Sequence, residues 1–503
     1  MSSASSPPVL TGSSANTGGA TAAVEPTPHA ENDAPRAPRG GGVARLPGIV
    51  RPLLVLAAPV LIEQTLALGV GMTDKWLSGN LLPGPEYLAA VGLVAYCWGF
   101  LPVLFAVASV SVTAIVARAV GAGDLPTASR VTAQAMLVGA GVVVAVLVVA
   151  AFGGRAFISM LGLPDASSQL AGDYLAIVLP ALPAVMFTQV GVAALRGAGE
   201  MTTGMVVMTV VNVVNAVASA ALATGWGGLP ELGWRGLAWG TFLGAGCGAA
   251  FTAGVLFRGR SPLHLSASCW VPDAALVKRL TRVGMPAGWD GIAQAVCQLA
   301  FLSIVNRLGD VDAAAHSLAI TIESLAFLPG SAFQVSAATL SGQFLGARDE
   351  RRARDSVWLA AIVCTLLMSS VAVLLGIEAD RLAAFFLADG QQEVASITAG
   401  LVRIVAFAQP PLAALMVFSG GLRGAGQTRA PMIVNLAVLV FVRLPLALFL
   451  AWDTIPVPGG LGSLPGLGLG VTGAWYAMAI DLLLRGSVLT ALFCAPGWSK
   501  IRV

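Results

Sequence analysis

Long uncharged apolar runs recur along the chain, with Gln134 to Phe152 and Val357 to Ile377 the clearest. A helix needs about 20 such residues to cross the hydrocarbon core of a bilayer. It satisfies its backbone N–H and C=O groups within its own segment, which lipid cannot do for it. A membrane strand would alternate apolar and polar residues, and these runs do not. Composition agrees: 56% of residues are apolar and 11% charged, against about 25% charged in a soluble domain. The fold class expected is an all-α integral membrane protein.

Twelve spans are expected, near residues 51–79, 87–118, 127–152, 168–195, 204–224, 233–257, 275–307, 313–344, 354–377, 394–421, 430–452 and 471–494. Turn residues punctuate them: Leu-Pro-Gly-Pro at 82–85, Leu-Pro-Asp at 163–165, and a Gly/Pro-rich stretch from Thr454 to Gly470. The organisation expected is a disordered tail over 1–45, an N-lobe over 46–257, a linker over 258–274, a C-lobe over 275–495 and a short tail over 496–503. The first tail is rich in Ser, Ala, Pro and Gly without an apolar core, so it reads as solvated chain and not as a signal peptide.

Basic residues set the expected orientation. With the first tail in the cytoplasm, 20 of the 28 Lys and Arg fall in the two tails and the connections on that side. Lys75, Arg155, Arg235, Arg307 and Arg381 fall opposite, among Glu86, Glu231, Asp310, Asp312, Glu378, Asp380 and Asp389. Positive residues favour the cytoplasmic face, so a multi-pass protein of the cell membrane with both termini inside is expected.

Several function classes drop out. A net charge of +3 without basic runs argues against nucleic acid. Cys97, Cys247, Cys269, Cys297, Cys364 and Cys494 show no CxxC spacing and read as small packing residues. Three histidines, His29, His264 and His316, do not suit a haem or multi-histidine metal centre. No Walker A pattern is present, so ATP is not the expected direct energy source.

The two halves repeat one another. Leu195-Arg196-Gly197-Ala198-Gly199 returns as Leu422-Arg423-Gly424-Ala425-Gly426, a shift of 227. Pro59 answers Pro286 at the same shift, and Val120-Gly121-Ala122-Gly123-Asp124 answers Leu345-Gly346-Ala347-Arg348-Asp349 at 225. Gly233-Trp234-Arg235-Gly236 answers Gly470-Val471-Thr472-Gly473 at 237. Six spans per half make the repeats parallel, giving two six-helix lobes related by a pseudo-two-fold axis along the membrane normal. Rocking of two such lobes about a central cavity is the architecture of a solute transporter.

These fingerprints resemble the multidrug and toxic compound extrusion (MATE) family. The resemblance rests on Pro59 followed by Asp74-Lys75-Trp76-Leu77-Ser78-Gly79, on Ala89-Ala90-Val91-Gly92, on both Leu-Arg-Gly-Ala-Gly copies and on Gly342-Gln343-Phe344-Leu345-Gly346-Ala347. Ile322 to Gly330 is similar to the branch named after DNA-damage-inducible protein F. The resemblance implies antiport: export of bulky, often cationic amphiphiles in exchange for H⁺ or Na⁺, with no resident cofactor and no enzyme activity. The partners implied are a small-molecule substrate and membrane lipids, and the unit a monomer.

Acidic residues inside spans are costly, about 2.5–3.5 kcal/mol at a helix centre on insertion scales, so each needs a reason to stay. The candidates are Glu63, Asp74, Asp173, Asp290, Glu323 and Asp481. The resemblance places the coupling aspartate at Asp74, whose protonation would remove a charge and let the first helix repack; pairing with Lys75 is the alternative. Glu63 lies eleven residues earlier, close to three turns, on the same face. It reads either as lining of the lobe or as a packed carboxyl bonded to a neighbour.

Asn215 and Thr241 match family positions around the coupling ion, and Ser219 stands where a second aspartate often occurs. One carboxylate fewer favours H⁺ over Na⁺, with Na⁺ coupling the alternative; Asn212 and Asn215 alternatively serve interhelical hydrogen bonding. In the C-lobe, Gln294 and Leu412 occupy positions where another branch carries acids, and Asp290, one turn before Gln294, is a displaced substitute. Glu323 is expected to bind a cationic substrate or to pair with Arg307 or Arg443.

Met186, Phe187, Met205, Met208, Trp239, Trp289, Phe301, Phe333, Met416 and Phe418 are soft side chains suited to varied apolar ligands. Met205 and Trp289 are taken as substrate contacts. The two Leu-Arg-Gly-Ala-Gly copies are read as helix-ending hinges, with glycine at positive φ and arginine facing the helix dipole and anionic lipid. A lipid-linked precursor flippase of related fold would call for a more basic cavity. A membrane-embedded transferase would need an acid-rich metal motif or a catalytic histidine pair.

Overall fold

The computed structural model describes residues 42–81, 99–160, 165–259, 261–385, 391–456 and 463–500, with side chains for all of these but 70–81, 101, 153–160, 165–168, 456 and 500. The first half holds α1 (Val50–Leu81), α2 (Leu101–Gly121), α3 (Leu125–Met160), α4 (Asp165–Val178), α5 (Leu182–Ala198), α6 (Met201–Thr224) and α7 (Trp234–Phe257). The second holds α8 (Ala274–Asn306), α9 (Asp310–Gly346), α10 (Glu350–Ile377), α11 (Ala379–Phe385), α12 (Gln392–Gly424), α13 (Arg429–Val438), α14 (Leu444–Ala451) and α15 (Gly470–Cys494). Among the described residues, 12 stretches are long and apolar enough to cross a membrane.

Two of these stretches are not continuous α-helices. The fourth breaks at a 3₁₀ turn, Leu179–Ala181, where Pro180 lacks an N–H and its ring crowds the preceding turn. The eleventh widens into a π turn, Leu439–Arg443, between α13 and α14. Such turns are rare and favour functional sites. By contrast, α12 runs on through Pro410 and Pro411. Within the Gly/Pro-rich stretch after Thr454, β1 (Thr454–Pro456) and β2 (Ser463–Pro465) pair antiparallel with Ile455 opposite Leu464.

Close helix crossings repeat in both halves. A Cβ added at Gly197 of α5 would sit 2.7 Å from the backbone oxygen of Thr113 on α2. Gly424 of α12 meets the backbone oxygen of Ala338 on α9 in the same way. Without a hydrophobic drive between helices in lipid, small residues that let backbones approach supply the packing. The second glycine of each motif, Gly199 at φ +88° and Gly426 at +85°, turns the chain left-handed just past the helix, as only glycine does cheaply.

The stretch between the halves is held, not loose. Gln134 of α3 is fully buried and its amide donates to Cys269 O (3.0 Å) and Val271 O (2.9 Å). Its Oε1 accepts from the Asp273 backbone N–H (3.0 Å), and Ser129 Oγ accepts from the His264 N–H (3.0 Å). Replacing one partner of a buried hydrogen bond costs about 1–3 kcal/mol. Gln134→Leu, similar in volume, is therefore expected to lower stability by about that amount. Thermal unfolding in detergent reads it, and an unchanged midpoint would count against this staple.

Candidate functional site

In the first half, α6 packs against both α1 and α7. Asn215 of α6 donates through Nδ2 to Thr241 Oγ1 of α7 at 3.2 Å, and Thr241 donates onward to Leu237 O at 3.2 Å. Ser219 lies one turn beyond Asn215 and is buried. The approach depends on glycine: a Cβ at Gly244 would lie 3.0 Å from Asn215 Cβ, and Gly240 sits directly on Ser219. Asn215 Oδ1 and Asn212 Nδ2 are buried without a partner. A buried acceptor without a donor is costly, so this oxygen is free to accept a hydrogen bond or to ligate a cation. Asp74 is on α1, but its side chain lies outside the described residues.

Glu63 does not join that cluster. Its Oε1 accepts from Arg196 Nη2 of α5, forming a buried ion pair, while Oε2 has no partner. The second half repeats the pair at the same sequence shift: Arg423 Nη2 of α12 donates to Asp290 Oδ2 of α8 at 2.5 Å. There Asn435 Nδ2 lies 3.1 Å from each carboxylate oxygen. The position matching Asn435 in the first half is Met208, which offers no donor. These pairs correct the reading of the motif arginines as lipid-facing. Guanidinium groups this far inside need a carboxylate partner, and the first helix of each half provides one.

Asp290 therefore has both oxygens engaged inside the protein, and Gln294, one turn on, is exposed. A second buried cluster lies deeper in this half. Asp481 of α15 pairs with Arg485 (2.5 Å) and Arg443 (3.8 Å). Arg443, at the end of the π turn, also donates to Gln298 Oε1 at 3.3 Å and covers the Phe301 ring at 4.3 Å. His316 Nδ1 accepts from Trp475 Nε1 at 3.1 Å.

Glu323 stands apart. Of the described acids inside spans, Glu63, Asp173, Asp290 and Asp481 each have an arginine partner within 4 Å, whereas Glu323 forms no salt bridge among the described residues, although Arg443 lies near enough to act on its charge. It lines a small cavity between α9, α10 and α12 with Ala326, Leu375, Val402, Val405 and Gln409. Gln409 is fully buried and neither of its polar atoms has a partner. Sequence reasoning missed Gln409, which is an uncharged polar residue in an apolar run next to two prolines.

The soft side chains divide. Trp289 is 59% exposed and Met205 is half-buried, whereas Met186, Phe301, Phe333, Met416 and Phe418 are closed into the packed cores. Met186, for instance, fills the space over Gly139, where an added Cβ would lie 2.6 Å from its sulfur. Met416 fills the space over Gly330 in the same way, whereas Phe418 packs on the rings of Trp358 and Phe493 and Phe301 lies under Arg443.

The family model described as MatE matches residues 59–220 and 286–449. The chain belongs to the MatE family. The two matched stretches start 227 residues apart, the shift that also relates the two arginine motifs and the two buried pairs. The "Probable multidrug resistance protein NorM" of Thermotoga maritima is 26% identical over 458 residues, covering 90% of this chain and 94% of the relative. A protein of the same name from Agrobacterium fabrum is 29% identical over 449 residues, covering 88% and 92%. A MATE solved in complex with MaL6 shares the fold at a TM-score of 0.80 and 20% identity, over 88% of this chain and 95% of that one. This MatE protein is a member of a transporter family and not an enzyme, which removes the transferase alternative.

Proposed function

We propose that this MatE protein is a multidrug exporter of the cell membrane, with both termini cytoplasmic, that exchanges organic cations for protons by alternating access of its two halves. The observation that carries the reading is the Asn215–Thr241 contact with its buried, unpartnered Asn215 Oδ1, on the helix that packs against the one bearing Asp74. Asp74 with Asn215, Thr241 and Ser219 forms the coupling site. Ser219 supplies a hydroxyl where a second carboxylate would strengthen Na⁺ binding, so the site suits a proton. No added ligand is required beyond the ion, and one chain holds the whole pathway.

Glu323, a described span carboxylate held in no salt bridge and only within electrostatic reach of Arg443, is the recognition point for a cationic substrate. The four buried arginines named above are bound to three acids, Arg443 and Arg485 sharing Asp481, which leaves far less positive excess than the basic cavity that a lipid-linked precursor flippase would need.

Everted vesicles test the coupling. Addition of a cationic drug to acid-loaded vesicles is expected to release protons in wild type and not in Asp74→Asn. A sodium gradient should not replace the pH gradient. Undiminished proton release in Asp74→Asn would sink the mechanism.

A further inference from the structure

The two arginine motifs meet at one end of the molecule, and each is grasped by the opposite half. Gln343 Nε2 and Thr339 Oγ1, both on α9, donate to Gly197 O (2.9 Å) and Arg196 O (3.0 Å) of the first-half motif. Arg118 Nη2, on α2, donates to Ala425 O (3.1 Å) of the second-half motif. Arg118 and Gln343 are repeat mates at a shift of 225, as are Ala117 and Gly342 between them. A Cβ on Gly342 would lie 2.6 Å from that of Ala117. The segment before α1 closes over this junction. The Val43 N–H donates to Gln343 Oε1 (2.8 Å), and Arg352 holds Ala44 O, Leu46 O and Gly48 O at 3.1, 2.6 and 2.7 Å.

We propose that this junction is the cytoplasmic gate of the transporter, and that Arg196 and Arg423 are positioning residues that keep each motif turn on its own half while the gate opens and closes. The strengths of the bonds set the hinge. Three hydrogen bonds join the halves here, one from a charged donor, and because water can replace each of them when the halves part, they are weak enough to break in a conformational change. Breaking a buried ion pair leaves an uncompensated charge inside the protein and costs more than losing any one of these hydrogen bonds. The pairs Glu63–Arg196 and Asp290–Arg423 lie within a half, the weaker bonds lie between halves, and rigid lobes separating at the junction follow. The first-half pair is the looser brace, because Glu63 Oε2 has no partner whereas Asn435 reaches both oxygens of Asp290.

The inference rests on the transporter reading, but its test reports gate closure whichever ion drives transport. Ala122→Cys with Ala347→Cys, repeat mates that flank the approach of Gly346 to Ala122 N, are bridged in proteoliposomes by a short bis-thiosulfonate reagent, and the 122–347 link is quantified by mass spectrometry beside efflux of ethidium. The link is expected to form, to abolish efflux and to be reversed by reductant. Gln343→Ala and Glu63→Gln, each added to the cysteine pair, are expected to slow linking several-fold. Glu63→Asp should restore most of it, since the second half uses Asp290 at the matching place. All variants are compared as protein with a single elution peak and a thermal midpoint near that of the parent, and Gln343→Ala carries the test should Glu63→Gln not fold. The gate is overturned by failure of the link to form, by efflux that survives it, or by linking unchanged in the Gln343 variant. Unchanged linking in a folded Glu63→Gln overturns the positioning role. Loss of proton coupling in Asp74→Asn with normal linking would sink neither.

Discussion

Asp481→Ala is expected to destabilise the protein by about 3–5 kcal/mol, as removal of one partner from a buried charge cluster does. Asp481 is fully buried and is the carboxylate shared by Arg485 and Arg443. Without it, two guanidinium groups are left together in an apolar helix bundle, Arg443 keeping Gln298, the face of Phe301 and the more distant charge of Glu323. The loss has two parts, desolvated charge without a counterion and repulsion between like charges. Removing one arginine as well relieves the second, so Asp481→Ala with Arg485→Leu should be more stable than Asp481→Ala alone. Chemical or thermal unfolding in detergent measures both. A single variant within 1 kcal/mol of wild type, or a double variant no better than the single, would show that the cluster does not hold α15 against the π turn.

The second large effect concerns recognition. Glu323→Gln is expected to weaken apparent affinity for monocationic substrates about tenfold or more, the size of a lost charge-assisted hydrogen bond. Uncharged substrates of similar size should be affected far less, since the cavity walls of Ala326, Leu375, Val402 and Val405 are untouched. That contrast separates charge recognition from a folding defect, which would lower transport of both. Initial rates against concentration in proteoliposomes give the measurement. Equal loss for charged and uncharged substrates would mean that Glu323 serves packing.

Much of this site was legible before any coordinates. Asn215 and Thr241 were expected as neighbours, and their side chains bond. The repeat shift of 227 was visible in the motif, in Pro59 and Pro286, and in the two family matches. The motif already makes Arg196 and Arg423 mates; what it leaves unread is that Glu63 and Asp290 are mates at the same shift. Comparing charged positions across the shift would have predicted two pairs; reading each arginine beside its own helix end pointed it to lipid instead. Asp290, weighed as a substrate residue, is taken up by Arg423 and Asn435. Gln134 gave no sequence signal, because its partners are backbone groups 135 to 139 residues away.

Sequence by itself determined that the chain crosses a membrane as helices, where most of them start and stop to within a few residues, and that two similar halves are joined in parallel. Those follow from local quantities: the length of an apolar run, the turn chemistry between runs and the spacing of repeated motifs. The expected start of the second span lies outside the described residues, and the third helix runs on to Met160. Only the tertiary structure decided which carboxylate meets which arginine, where the eleventh span widens to turn Arg443 onto Asp481, and which half grasps each motif turn. A buried charge is stabilised by whatever lies within a few ångströms, and helix rotation and depth set that distance. Residues 133 apart in the chain become partners by packing.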